Sequence, residues 1–257
     1  MRIAITREVS PSLADCQLTH VARTPIDVMR ADAQHRNYQR VLASLGCTVL
    51  TLPAEPALPD AVFVEDVAIV LDEVAVMTRP GAESRRAEGA SVAELLGRYR
   101  PLRAIEAPGT VDGGDVLRIG RTLYVGRSGR SNADGIAQLQ DAVAAFGYRV
   151  QPVAIRGCLH LKSAVTAVRD DTVLLQPRWA DAASFPGFRV IEVDPDEEHG
   201  ANVLRIGEVA VMPACFPRTT QRLRDAGIEV VTVDVSELQK AEGATTCCSL
   251  VFEANRA

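Results

Sequence analysis

One pattern recurs five times along the 257-residue chain: a segment ending in glycine runs directly into a β-rich stretch. It reads LASLGCTVLTLP, LLGRYRPLRAIEAP, VAAFGYRVQPV, SFPGFRVIEV and RDAGIEVVTV, with the glycines at Gly46, Gly97, Gly147, Gly187 and Gly227. Their spacings are 51, 50, 40 and 40 residues, so five units fill the chain. A repeat of this length means that one supersecondary unit is being stacked or arrayed, because a single unit cannot bury its own apolar face. Each glycine suits the left-handed position just past a helix end. The upstream segments carry helical periodicity: Tyr38, Val41, Leu42 and Leu45 fall at i, i+3, i+4 and i+7, and Ile136, Leu139, Val143 and Phe146 form a similar stripe.

Between each strand and the next helix lie two short β-rich runs joined by a tight polar turn: DVAIVLDEVAVMTRP, DVLRIGRTLYVGR, AVTAVRDDTVLLQP and NVLRIGEVAVMPA. These predict hairpins. The fifth hairpin, beginning at CCSLVFEA, lacks a second strand downstream, but RIAITRE at the N-terminus can supply it. The expected fold is therefore a pseudo-fivefold α/β propeller of five ββαβ units, closed by pairing of the N- and C-terminal strands. A doubly wound sheet also alternates strands and helices, but it requires parallel crossovers rather than a hairpin in every unit. No Pro-, Gly- or Ser-rich linker interrupts the pattern, so residues 1–257 are expected to form one domain.

Composition narrows the class of partner. With 47% apolar and 24% charged residues the chain is an ordinary globular sequence, and its net charge of −5 with no basic run offers a polyanion no footprint. Nucleic acid and anionic membrane are not expected partners. MRIAITREVS lacks the features of an export leader, and no apolar run approaches the ~18 residues of a membrane span. A complete, cytoplasmic chain is expected, and its six cysteines should be reduced thiols. The four histidines sit in no zinc-protease motif, and Cys158-Leu159-His160 supplies half a zinc site at most. The Gly113-Gly114-Asp115 run lacks the third glycine of a dinucleotide fingerprint. No metal and no cofactor are expected.

In a ring of repeats the starts of the hairpins converge near the axis. They read Glu65-Asp66, Asp112 with Asp115, His160 with Lys162, Gly200-Ala201-Asn202, and Cys247-Cys248-Ser249. Taken singly, the acids could be turn or cap residues, the histidine a satisfied core residue and the thiol inert. Acid, imidazole and thiol at the same phase of different repeats point instead to a site, since buried charges without partners cost several kcal/mol. A thiolate is a strong nucleophile, an imidazole relays protons near neutrality, and paired carboxylates cage a planar cation. The natural substrate of such a set is a guanidinium. Attack by Cys247 on its central carbon, with His160 protonating the departing amine, would leave a covalent thiouronium that water activated by His160 hydrolyses to a ureido product.

PDAVFVEDVAIV (Pro59 to Val70), TRPGAESRRAE (Thr78 to Glu88), APGTVDGGDVL (Ala107 to Leu117), LHLKS (Leu159 to Ser163) and TTCCSLVF (Thr245 to Phe252) stand in an order that resembles the guanidino-group-modifying enzymes of five-bladed α/β propeller fold, most closely the dimethylarginine dimethylaminohydrolase family. The resemblance implies that Cys247 is the nucleophile, His160 the general acid/base, and Asp66 and Asp112 the carboxylates against guanidinium and imidazole. It assigns substrate-holding or wall positions to Asp60, Glu65, Arg85 and Arg130, with Arg85 preferred over its neighbour Arg86 at a helix start and the arginines suiting an α-carboxylate. It puts Leu18 on an N-terminal flap and Ala241 where relatives can carry a larger aliphatic wall residue. Some members carry Glu in place of Asp112. Cys248 is expected to face away from Cys247, as adjacent strand residues do, and Cys16, Cys47 and Cys215 are expected to be bystanders.

The implied activity is hydrolysis of Nω-methylated arginine to citrulline and dimethylamine or methylamine, the implied partner a small guanidino amino acid, with a homodimer left open. Two alternatives stand beside it. An arginine deiminase-like activity on free or hydroxylated arginine differs only in pocket discrimination, and a non-catalytic propeller binding protein, of the kind resembling ribosome anti-association factors, would have lost the thiol, imidazole or acids. All three are present.

Overall fold

The computed structural model describes residues 1–254, and within them the hairpin expectation holds unit by unit. The chain opens with β1 (Arg2–Arg7), α1 (Val28–Ser44) and β2 (Cys47–Leu52). Three further units follow: β3 (Ala68–Val70), β4 (Ala75–Met77), α2 (Gly89–Leu96) and β5 (Leu102–Ala104); β6 (Val116–Ile119), β7 (Thr122–Arg127), α3 (Ala133–Ala144) and β8 (Arg149–Ala154); then a single turn, α4 (Leu161–Ala164), with β9 (Val165–Arg169), β10 (Thr172–Leu175) and β11 (Arg189–Glu192). The last comprises β12 (Leu204–Ile206), β13 (Val209–Pro213), α5 (Pro217–Asp225) and β14 (Glu229–Val233), before a short α6 (Ser236–Gln239) and β15 (Leu250–Glu253).

The strands make five three-stranded sheets, β3-β4-β5, β6-β7-β8, β9-β10-β11, β12-β13-β14 and β15-β1-β2. In each, an antiparallel pair is followed by a third strand lying parallel to the middle one. The missing strand of the fifth hairpin is β1, paired with β15 from Arg2 opposite Glu253 to Ile5 opposite Leu250. No sheet among the described residues exceeds three strands, which excludes the doubly wound alternative. No helix among them is long and apolar enough to cross a membrane.

The predicted helix faces are the buried ones: Tyr38 and Leu42 of α1, and Ile136, Leu139 and Val143 of α3. Asp27 and Asn132 cap these two helices by accepting the N–H groups of Arg30 and Gly135. Two expectations fail locally. Gly46, Gly147, Gly187 and Gly227 have positive φ, but Gly97 does not; at φ −58° it simply extends α2. The fourth unit has no α-helix before its glycine, only a 3₁₀ turn at Ala182–Ser184. Pro177 and Pro186 bracket this short connection and leave no room for an i→i−4 ladder.

Apolar burial divides into five clusters, each between consecutive sheets. β1, β15, α2 and β4 share one, built on Ile3, Ile5, Leu96 and Phe252; the last joins Val211 and Val233 of the β12-β13-β14 sheet to Ala4 and α1. A cavity of about 320 Å³ runs between the first strands of all five hairpins, with Glu65, Lys162 and Thr246 also in its wall.

Candidate functional site

The residues singled out at the hairpin starts occupy a common structural device. Val64–Val67, Gly113–Asp115 and Leu161–Ala164 are each one helical turn placed just before the first strand of a hairpin. Such a turn points side chains away from the sheet and toward the turns of neighbouring units. Glu65 and Asp66 lie within the first, Asp112 at the N-cap of the second, and His160 at the N-cap of the third. Cys247 sits in the turn ahead of β15, where its carbonyl accepts the Glu65 N–H at 3.1 Å.

His160 is buried between two acids. Its Nε2 lies 3.0 Å from Asp112 Oδ2 and its Nδ1 lies 3.8 Å from Asp66 Oδ1. Gly114 permits this approach, because a Cβ there would meet the imidazole at 2.5 Å and Asp66 at 2.7 Å. Asp115 works behind the histidine: it accepts the Leu161 N–H at 3.0 Å and the hydroxyls of Ser128 and Ser131, fixing the turn. Asp66 accepts the Gly114 N–H at 2.9 Å and pairs with Arg85 at 2.6 Å.

The electrostatics follow from this packing. Burial alone would lower the imidazole, but Asp66, the hydrogen bond the ring donates to Asp112 and the charges of Asp115 and Asp112 raise it to about 9. Burial likewise pushes Asp66 upward, yet His160 and Arg85 hold it down at about 2. Cys247 is pushed up to about 12 by burial and by the charges of Glu65 and Asp66. At neutral pH the resting pair is a neutral thiol facing an imidazolium. Asp66, Asp112 and His160 present donor atoms within 4.8 Å of one another, a spacing a cation could use. The positive charge those acids balance is already supplied by Arg85 and the imidazolium.

Cys247, His160, Asp66, Asp60, Arg85, Arg130 and Ala241 line one small hollow. Asp112 stands one hydrogen bond behind His160. Two residues lie elsewhere. Leu18, within the N-terminal segment, packs half-buried on a core cluster and is not in the wall of the hollow. Glu65 faces the cavity between the first strands of the hairpins, paired with Lys162 at 2.5 Å and accepting the Thr246 hydroxyl at 2.7 Å, so its oxygens are already committed.

The two arginines also divide. Arg85 is buried with its donors spent on Asp66, Glu88 and the carbonyls of Asp60 and Phe63, which leaves no fork for an incoming carboxylate. Arg130 donates Nη2 to Thr19 Oγ1 at 3.1 Å, while its buried Nη1 has no hydrogen-bond acceptor. Arg85 and Arg86 open a helical stretch, as expected, in a 3₁₀ segment, Glu83–Glu88, that runs directly into α2. Burial raises the carboxyl of Asp60, which accepts the Gln17 N–H.

Cys248 is buried in the core and donates to the Ala244 carbonyl. It parts from Cys247 because the two occupy a turn, not the strand alternation expected. Cys158 turns its sulfur to the His160 carbonyl at 3.5 Å and shares no ligand set with the imidazole. Cys16 and Cys47 are buried and Cys215 is exposed.

Sequence reasoning missed Gln17, Phe63, Leu159, Glu242 and Gly243 in the wall of the hollow. It named Asn202 at a converging hairpin start but gave it no role; its carboxamide accepts the Thr246 N–H and donates to the Thr246 hydroxyl, both at 3.0 Å. Its signal was its place at the converging position just ahead of β12. Gln17 and Phe63 carried none.

No family model matches the chain. It is 44% identical over 250 residues to N(G),N(G)-dimethylarginine dimethylaminohydrolase of Streptomyces coelicolor, covering 96% of this chain and 95% of that protein. The dimethylarginine dimethylaminohydrolase of Pseudomonas aeruginosa, solved as a cysteine-to-serine mutant complexed with citrulline, superposes with a TM-score of 0.91 at 35% identity, over 97% of this chain and 98% of that one. A dimethylarginine dimethylaminohydrolase with histidine replaced by glycine, solved as an adduct with S-methyl-L-thiocitrulline, gives 0.93 at 34% identity, over 98% and 100%.

Proposed function

The chain belongs to the dimethylarginine dimethylaminohydrolase family of hydrolases, and from that premise we propose that it cleaves the guanidinium of Nω-methylated arginines, yielding citrulline and dimethylamine or methylamine. The observation that carries the proposal is the meeting of Cys247, His160 and Asp66, brought from turns of separate sheets, around one hollow.

A guanidinium entering beside Asp66 brings the positive charge that the resting thiol lacks. It lowers the thiol pKa, and the proton leaves to solvent. The Cys247 sulfur then adds to the guanidinium carbon. His160, an imidazolium at neutral pH, gives its proton to the departing amine as the C–N bond breaks, leaving an S-alkylthiouronium and a neutral imidazole. That imidazole takes a proton from water, whose oxygen adds to the same carbon. The C–S bond breaks, the sulfur recovers a proton from the new hydroxyl, and citrulline departs. Asp112 and Asp66 keep the imidazole oriented through both halves.

The head of the amino acid is assigned to the other end of the hollow. Nη1 of Arg130, which has no hydrogen-bond acceptor and lies 3.7 Å from Asp112 Oδ2, suits an α-carboxylate, and Asp60 an α-ammonium; Arg85 is reassigned to bracing Asp66. The five sheets are inferred to be blades around one axis in a single domain. Apolar clusters between every consecutive pair and the cavity shared by the five first strands support that reading.

The test is product analysis. Purified protein is incubated separately with asymmetric dimethylarginine, monomethylarginine and arginine, with citrulline and amine scored, and again with Cys247→Ser. Dimethylamine release abolished by the substitution supports the proposal. Ammonia from arginine as the preferred product moves the assignment to a deiminase, and no product from any of the three overturns it.

A further inference from the structure

The hollow at Cys247 has a volume of only about 20 Å³. That admits about one water molecule, whereas pockets for small ligands run to about 300 Å³ or more. Something covering the hollow must therefore move for any substrate to enter. The segment over it, residues 16–26, has no regular secondary structure, and Gln17, Thr19 and His20 are exposed. Beside the packing of Cys16, Leu18 and Ile26 on the core, polar ties hold it down. The carboxylate of Glu242 accepts three of them: the N–H of Thr19 at 2.8 Å, that of Val21 at 2.9 Å, and that of His20.

Glu242 is the sole residue other than glycine with positive φ among those described, at 60°. A side chain there costs about 1 kcal/mol or more that glycine would not. The strained backbone aims the carboxylate across the hollow, whose wall it joins, into the turn of backbone N–H groups opposite. Through Thr19 the tie reaches Arg130, which donates to the same residue's hydroxyl. Behind Glu242, His20 and Val21 lies a second cavity of about 320 Å³ with Trp179, Phe216 and His199 in its wall, so the segment closes one space while bordering another.

We propose that Glu242 is the latch of this segment, a positioning residue that sets how often the hollow opens and thereby controls access to Cys247 and the affinity for substrate. The affinity part rests on the proposed function; the access part does not.

The test uses Glu242→Gly and Glu242→Gln in the full chain. Glycine removes the carboxylate and suits the backbone, so its Tm is expected to hold or rise. Glutamine removes the charge but keeps one oxygen to accept N–H groups. Cys247 alkylation by iodoacetamide, followed by peptide mass spectrometry, is expected to quicken about tenfold in Glu242→Gly, as a bond network worth about one decade is lost, and less in Glu242→Gln. The KM for dimethylarginine is expected to rise more than kcat falls. Alkylation at the parent rate in both variants overturns the latch. Equal acceleration in both also overturns it, assigning the effect to lost charge. Acceleration with unchanged KM overturns the affinity part. If the unmodified protein yields no citrulline, the proposed function falls while alkylation still decides the latch.

Discussion

His160 is held as an imidazolium because three acids outweigh the cost of burying it, and this fixes the pH behaviour of the reaction. With the imidazole raised to about 9, kcat/KM should stay high to about that pH and fall above it as the proton for the leaving amine is lost. Asp112→Asn removes the partner at Nε2. Its kcat is expected to drop roughly 10²-fold, and the alkaline limb of kcat/KM should move toward neutrality; a limb that stays put would show that Asp112 does not govern His160. The same shift links to stability. A histidine raised from 6.5 in the unfolded chain to about 9 in the fold contributes fully below pH 6.5 and loses that contribution as pH rises through 9. The contribution is roughly 3 kcal/mol, shared with the depressed Asp66 as one interaction. Urea melts of the parent and of His160→Gln should therefore differ most below pH 6.5 and converge toward pH 9. The identity of these groups was legible in the sequence, but their division of labour was not. Arg85, Arg130 and Glu65 look alike as charged candidates until the structure shows whose donors and acceptors are already spent.

At the level of elements, the turns ahead of the hairpins explain both what the sequence revealed and what it hid. Glycines past helix ends and polar hairpin turns are local signals, and they located four hairpins and the buried faces of α1 and α3. The fourth unit shows the limit of such signals: its glycine is left-handed as expected, yet the helix meant to precede it is a 3₁₀ turn, because prolines decide what the repeat spacing cannot. The turn before β15 depends on a contact no local rule supplies. Asn202 clamps Thr246 from the neighbouring sheet, and the Thr246 hydroxyl donates a hydrogen bond to Glu65, itself paired with Lys162. Asn202→Ala leaves the Thr246 N–H without its acceptor, which is expected to cost about 1–3 kcal/mol of stability. The loosened turn should lower kcat about tenfold, with KM changed far less. A rise in KM at constant kcat would place Asn202 in substrate binding instead.

Across the whole molecule, the consequence of a repeat depends on whether its ends meet. In an open solenoid each unit touches only its neighbours, and damage at one terminus leaves distant units folded. Here β1 completes the sheet that β15 begins, and apolar clusters join every consecutive pair of sheets, the last to the first included. The pairing of β1 with β15 was legible from arithmetic alone: five hairpin starts, four second strands, and a spare strand at the other end of the chain. What the arithmetic could not supply is how firmly the join holds the rest. Ile5 of β1 is fully buried opposite Leu250, so Ile5→Asn puts an unpartnered carboxamide into the seam and should cost about 3–5 kcal/mol. Trp179, the only tryptophan, lies in the cluster between the β6-β7-β8 and β9-β10-β11 sheets, far along the chain from that seam. If closure makes the sheets one cooperative unit, its fluorescence transition in denaturant should move to lower concentration by the same amount as the far-ultraviolet dichroism transition. A tryptophan transition that stays at its original midpoint while the dichroism shifts would mean that the sheets unfold separately and that the terminal seam is a local contact.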